Sequence, residues 1–366
     1  MMTSNAVNKE MPPEMAKLLF DSFAFAIFKD FPEGIEIGID YSSFRTGPKF
    51  LGIKLIPRGV HFIYISYKDA PRIGFFHHFK EREIMMKKWD KKEETFIDCN
   101  LSSEEEQRIR LNLKNIDKNL GAYPFATLKK WTALSHYVDD KLVEKLNPNC
   151  GRITSQTEFV TQEQKVKQNL EESGKGFDEV DRENPNRIRF TDEAGMPVLD
   201  VDINQLISFT NIPQITIDIV DKRAGVDNSV LLNKLLQTYP KNKELECLLG
   251  EFQYSFIVFL IGQVYEGFDQ WKRLLHLLCS VSADLPKHAT LYDKLFLTIY
   301  HQITTCPDDF FKDIMTADNF INSTLSLLFA NIEDNDQLPT PFKGKAAKTR
   351  RLFEKKFNCS FNFNDA

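Results

Sequence analysis

The chain has 366 residues, 42% hydrophobic and 27% charged, with a formal net charge of −5 at neutral pH. That length can bury two cores, and the mild acidity excludes a protein that grips nucleic acid over its whole surface, although local basic patches stay open. The six cysteines, Cys99, Cys150, Cys247, Cys279, Cys306 and Cys359, contain no C-x-x-C pair, so buried free thiols of a reducing compartment are expected rather than a zinc site or a disulfide framework.

The first half reads as strands. Small and aromatic residues alternate over residues 23–28, and apolar and polar or small residues over 35–39. β-Branched and aromatic runs follow at 50–56, 60–67 and 72–79, separated by Pro57-Arg58-Gly59 and Asp69-Ala70-Pro71. Residues 84–89 and 95–99 supply two more candidates. Turn signals at this spacing predict an antiparallel β-sandwich or barrel-like domain.

Helices then flank the sheet. Ser102 or Ser103 caps the first, with Glu105 or Glu106 three residues on, and Ile109, Leu113, Ile116 and Leu120 form its apolar face. Gly121 predicts a turn, and Pro124 opens a second helix that carries Phe125, Leu128, Trp131 and Leu134 on one stripe. Residues 140–146 form a third, stopped by Asn147-Pro148. From 153 to 205 the composition turns polar and predicts a linker, with edge-strand pieces at 187–190 and 198–201.

The second half is helical. Tyr292, Leu295, Phe296, Ile299, Tyr300 and Ile303 lie on one helical face. Residues 232–236, 245–265, 268–281, 310–315, 320–329 and 342–357 complete roughly seven helices without a fixed-period repeat. The whole is α+β: a β-rich domain over 1–152, a linker over 153–205, an all-α domain over 206–335 and a basic helix with tail over 336–366.

Motifs that suggest chemistry have plainer readings. Gly47-Pro48-Lys49-Phe50-Leu51-Gly52-Ile53-Lys54 has the glycine spacing of a phosphate loop, but Ile53 stands where the lysine belongs, so a turn entering a strand is expected. His77 and His78 point to opposite faces of a strand. Glu104 to Glu106 and Asp308-Asp309 read as helix starts. Cys279 and His276 sit among leucines on a core-facing helix. No catalytic residue, metal or cofactor is expected. The first ten residues are polar, and apolar runs such as 256–261 are short for a bilayer, so a cytoplasmic and nuclear protein is expected. Lys343, Lys345, Lys348, Arg350, Arg351, Lys355 and Lys356 form the one clear charge cluster. Phe342, Leu352, Phe353 and Phe357 are expected to anchor its helix, and Thr340-Pro341 before it is a candidate for proline-directed phosphorylation.

Several segments resemble the Aar-two family of splicing factors. They are Gly38-Ile39-Asp40-Tyr41, Gly47 to Phe50 with Gly52, Ile56-Pro57, Gly59-Val60-His61-Phe62, Pro71 to Phe76 and Gly121 to Trp131. In the helical half they are Gly250-Glu251-Phe252-Gln253, Gly262 to Glu266, Trp271 to Leu275, Thr290 to Tyr292, Tyr300 to Gln302 and Asp308 to Phe311. The resemblance implies a β-rich domain, a linker and a helical domain similar to the VHS superhelix. It also implies an assembly chaperone of the U-five small nuclear ribonucleoprotein. Such a chaperone binds the large splicing protein Prp-eight through its RNase H-like and Jab/MPN-like domains. It keeps the Brr-two helicase and RNA away until phosphorylation releases it.

Under that reading the protein is monomeric on its own and its linker lets two domains clamp separate surfaces. Tyr123, Lys129 and Lys130, taken as exposed near the Gly121 turn, and Lys348, Arg350 and Arg351 are expected to meet the partner. Residues 361–363 are expected to pair with a partner's sheet edge. Trp131→Ala is expected to destabilise the β-rich domain first. A VHS-type trafficking adaptor and an RNA binder acting through the basic tail are the competing readings.

Overall fold

The computed structural model describes residues 13–67, 70–99, 101–155, 159–161, 199–212, 227–306, 320–357 and 360–361. After helix α1 (Pro13–Ser22), strands β1 (Ala24–Lys29), β4 (Gly52–Ile56), β7 (Ile84–Asp90), β8 (Thr95–Asp98) and β9 (Leu120–Ala122) form one sheet, in the order β8-β7-β1-β4-β9. Strands β2 (Glu36–Ile39), β3 (Ser42–Arg45), β5 (Gly59–Ser66), β6 (Ile73–Phe79) and β10 (Ile153–Thr154) form a second, in the order β10-β6-β5-β2-β3. The two sheets face each other as an open sandwich.

The alternation of each strand decides its layer. Ala24, Ala26 and Phe28 of β1 meet Ile37, Ile63, Ile65 and Phe75 between the sheets. Phe25 and Ile27 point the other way, against Leu113 of α2 (Ser103–Ile116) and Leu120. β5 is likewise covered on both sides: Ile63 and Ile65 face the sandwich, while Val60, Phe62 and Tyr64 face the helices beyond. At Gly38, opposite Tyr64, a methyl group would overlap the Tyr64 ring, so this β2 position must lack a side chain.

The expected antiparallel pairing holds in the second sheet, but the first is mixed, with β1 parallel to β7 and β4 parallel to β9. Between β1 and β7 the chain visits the other sheet. A connection that long can return in the same direction, which a tight hairpin cannot. Gly121 is a second correction, since it pairs with Ile53 inside β9 and the expected turn is a strand. The capping box at Ser102 and Glu105 is present, with Ser102 Oγ accepting from Glu105 N–H and the Glu105 carboxylate reaching back to Ser102 N–H. Ile153–Thr154, at the start of the polar stretch, pair with β6, and β11 (Phe159–Thr161) pairs with β12 (Leu199–Val201). Residues 187–190 and 310–315 and the Asp308-Asp309 pair lie outside the described residues.

Helices α3 (Leu128–Ser135) and α4 (Asp140–Leu146) follow the sandwich. The helical half comprises α5 (Ser229–Leu236), α6 (Glu244–Leu260), α7 (Tyr265–Cys279), α8 (Ala289–Thr305), α9 (Phe320–Asp334) and α10 (Thr340–Phe357). They enclose a core that includes Leu248, Phe252, Trp271, Leu278, Tyr292, Leu295 and Phe329. Phe342 and Phe353 anchor α10 in this core as expected, but Leu352 is 53% exposed. Phe361 is buried against Phe329, with ring centroids 5.8 Å apart, so it is not free to pair with a partner's strand.

The halves are not separate bodies on a tether. Phe62, Tyr64, Phe76, Trp131, Leu142 and Leu146 from the first share one cluster with Tyr254, Ile257, Val258 and Ile261 from the second. The expectation of two domains that clamp independently gives way to one packed unit. Among the described residues no helix is long and apolar enough to cross a membrane.

Candidate functional site

Four of the quoted segments meet at a buried polar cluster. Asp40 follows β2 in the left-handed region, with φ 55°, a conformation that Asp tolerates better than most residues. Its carboxylate takes a hydrogen bond from Phe62 N–H at 3.0 Å, from the Tyr123 hydroxyl at 2.6 Å and from His61 Nδ1 at 2.7 Å. His61 Nε2 lies 2.9 Å from the Pro57 carbonyl. Both imidazole nitrogens lie within hydrogen-bonding distance of an oxygen, so His61 bridges the Asp40 carboxyl and the Pro57 carbonyl. Asp40, His61 and Tyr123 are all buried. Burial, then the Asp40 charge, drives the Tyr123 phenol far above its ordinary range. Tyr123 is therefore a structural donor, and its expected place on an exposed contact surface is corrected.

The same segments build the junction of the halves. Trp131 Nε1–H donates to Val60 O at 2.9 Å, and the indole lies nearly parallel to His61. Tyr41, beside Asp40, donates its hydroxyl to Thr305 O at 2.7 Å, and the Lys130 ammonium sits 3.5 Å from the Tyr41 ring centroid. Burial lowers the Lys130 pKa. Lys130 is thus half-buried and used internally, a second correction to the expected exposed trio. Lys129 is exposed.

Helix α6 supplies the other side. Gln253 accepts from Tyr137 N–H at 2.7 Å and donates to Ala133 O at 3.1 Å, while the Tyr254 hydroxyl donates to Asn147 at 2.8 Å. The Glu251 carboxylate, fully buried, accepts from Thr210 N–H, the Thr210 and Tyr239 hydroxyls and the Gln270 amide at 2.6–3.0 Å. Neutral donors in that number satisfy a carboxylate without a cation. Neither His61 nor Glu251 stood out in the sequence.

Gly250 marks the closest approach. An added methyl would lie 2.6 Å from Leu142 Cδ2 and closer still to the Tyr137 carbonyl oxygen. Alanine is the better helix former by up to about 1 kcal/mol, yet Gly250→Ala is expected to lose about 1–3 kcal/mol through overpacking. Thermal unfolding checks this, and a variant as stable as the parent would show that the junction yields.

Two concavities of about 460 Å³ flank α3. One lies against the sandwich, lined by Pro57, His61, His78, Trp131, Asp139 and Lys141 among others. The other lies against α8, lined by Tyr137, Gln253, Lys294, Leu297 and His301. Leu128, Thr132 and His136 border both, so α3 stands as a ridge between them.

The α10 candidates do not share this place. Lys348 and Arg351 are exposed, and Thr340, at the start of the helix, is exposed too. Arg350 is held by Glu333 at 2.8 Å and Glu354 at 3.0 Å, which makes it a packing residue more than a free contact. Cys279 is fully buried and its thiol is pushed up by burial, away from nucleophilic use. His77 pairs with Glu83 at 2.7 Å. Among the described residues no group of side chains is placed to hold a metal ion. This arrangement can pack, position and present a surface.

Comparison with known proteins agrees with the geometry in both halves. Residues 22–148 match the AAR2 N-terminal domain and residues 220–362 match the AAR2 C-terminal repeat region. The chain is 40% identical to the AAR2 homolog of Caenorhabditis elegans over 355 residues, covering 96% of this chain and 98% of that one. It is 34% identical to the human AAR2 homolog over 380 residues, covering 96% and 94%. Several of the quoted segments form the buried cluster and the junction, and both family matches and near full-length relatives cover the chain: the chain belongs to the AAR2 family.

Proposed function

We propose that the protein is a non-catalytic assembly chaperone of pre-mRNA splicing. It binds the large U-five protein Prp-eight, through the RNase H-like and Jab/MPN-like domains, and holds off the Brr-two helicase and RNA until release. The observation that carries this reading is family membership along the chain, with 96% of it aligned to full-length relatives. A physical account is occupancy: a chaperone that binds one state of its partner shifts the equilibrium by its differential affinity. It acts in the cytoplasm and nucleus as a monomer and meets its partner by exposed positions such as Lys129, Lys348 and Arg351. Phosphate at the exposed Thr340 would add charge at a helix start beside Lys343 and regulate release.

Affinity purification of the intact chain with mass spectrometry tests the reading. The large splicing protein and U-five core proteins are expected, and the same sample reports whether Thr340 carries phosphate. Clathrin-adaptor proteins without splicing components would favour a trafficking adaptor and overturn the proposal.

A further inference from the structure

The concavity between α3 and α8 has a lining that selects its occupant. Its lysines and histidines are Lys129, His136, Lys294 and His301, Tyr137 adds a phenol, and among the described residues no carboxylate lines it. On a chain of net charge −5 such a wall is a local exception. Leu297 stands on α8 at 58% exposure, an apolar side chain raised at a basic rim, with Tyr300 one turn further on at 39%. The floor is pre-set. Gln253 fixes the α3–α4 connection by its bonds to Tyr137 N–H and Ala133 O, and the Lys294 ammonium lies 5.6 Å from the Tyr137 ring centroid. Lys294 is also 3.3 Å from Glu246, which lies outside the lining. That pair is exposed and exchanges readily for another carboxylate.

We infer that this concavity is a docking site for an acidic protein segment that carries an apolar anchor residue. The anchor packs on Leu297 and Tyr137. Its flanking carboxylates meet Lys129 on the ridge and Lys294 on the wall. RNA fits less well. The net negative charge of the chain repels a polyanion that spreads beyond the wall. The inference concerns the chemistry of the surface and stands whether or not the partner is the splicing protein proposed above.

The test uses the intact chain and fluorescence anisotropy with labelled synthetic probes. These are a short peptide rich in Asp and Glu with a central Phe, the same peptide with Ala for Phe, one with Lys for the acids, and a short single-stranded RNA. The acidic Phe peptide is expected to bind tightest. Lys129→Glu, Lys294→Gln and Leu297→Asp should each weaken it about tenfold, with an unchanged melting temperature for Lys129→Glu and Leu297→Asp, whose positions are exposed. Lys348→Glu on α10 should leave it unchanged. Equal binding by the groove variants, stronger binding by the RNA, or no binding by the acidic Phe peptide would overturn the proposal. Purification of Leu297→Asp from cells separates this proposal from the splicing assignment. If the parent and the variant both recover U-five proteins, the groove is not their dock and the assignment survives. If the peptide binds the groove and neither chain recovers them, the groove stands and the assignment falls.

Discussion

Asp40→Ala is expected to lower stability by about 3–5 kcal/mol, because several buried groups lose their partner at about 1–3 kcal/mol each. Three donors lose their acceptor together: His61 Nδ1–H, the Tyr123 hydroxyl and Phe62 N–H. None can turn to water, because Asp40, His61 and Tyr123 are each at most 2% exposed. Alanine would also have to hold a φ of 55° without the local hydrogen bonding that favours Asp there. Such a loss is a large part of the roughly 5–15 kcal/mol that a folded domain possesses. Asp40→Asn keeps the backbone preference and one acceptor, and should lie between the alanine variant and the parent. Urea denaturation followed by far-UV circular dichroism reads both. A midpoint for Asp40→Ala equal to that of the parent would show that the cluster does not hold the sandwich together.

Trp131→Ala is expected to lose a similar amount, about 3–5 kcal/mol, as large-to-small changes in cores do. The indole is 2% exposed and belongs to the cluster shared by Phe62 and Tyr254. Its removal also frees the Val60 carbonyl. From the sequence the β-rich domain was expected to fail first. Because the cluster spans both halves, the expected result is one transition at lower temperature, with sheet and helix signals lost together. Loss of the sandwich while α5–α10 stay folded would return the halves to independence. A variant that melted as the parent does but failed to bind its partner would make the segment a contact surface.

The strands of the sandwich were legible because β-branched and aromatic residues fell into runs between turn signals. Those that escaped lacked that signature. Ser42–Arg45 is polar with one aromatic, Leu120–Ala122 contains a glycine, and Ile153–Thr154 is two residues long. The parallel pairs were invisible for another reason. Alternation reports which face is buried and carries nothing about which strand lies alongside. Helix α4 was legible to the residue because Asp139 caps it and Asn147-Pro148 stops it.

The site was legible in part. Tyr123 follows Gly121-Ala122 and precedes Pro124, so local rules placed it at an exposed turn. Its burial comes from Asp40, 83 residues away. His61 did leave a sign. On β5 it alternates with Val60, Phe62 and Tyr64 and shares its face with Ile63 and Ile65. A histidine on a core face needs buried oxygen partners, whereas the adjacent His77 and His78 are the more conspicuous pattern. Lys130 read as a free charge because Tyr41, whose ring it meets, belongs to a distant element, whereas Glu354, one turn along from Arg350, was a legible partner.

The shared cluster bears on how the chain is made. The ribosome releases the β-rich half first, and the outer face of β5 and β6, with Phe62, Tyr64 and Phe76, has only the partial cover of α3 and α4 until α6 delivers Tyr254 and Ile257. At a synthesis rate of about 5–20 residues per second, the stretch between β10 and α6 holds that apolar face open for on the order of ten seconds. During this interval the nascent sandwich presents the sticky surface that general chaperones recognise. The chain would then itself need guarding while it is born.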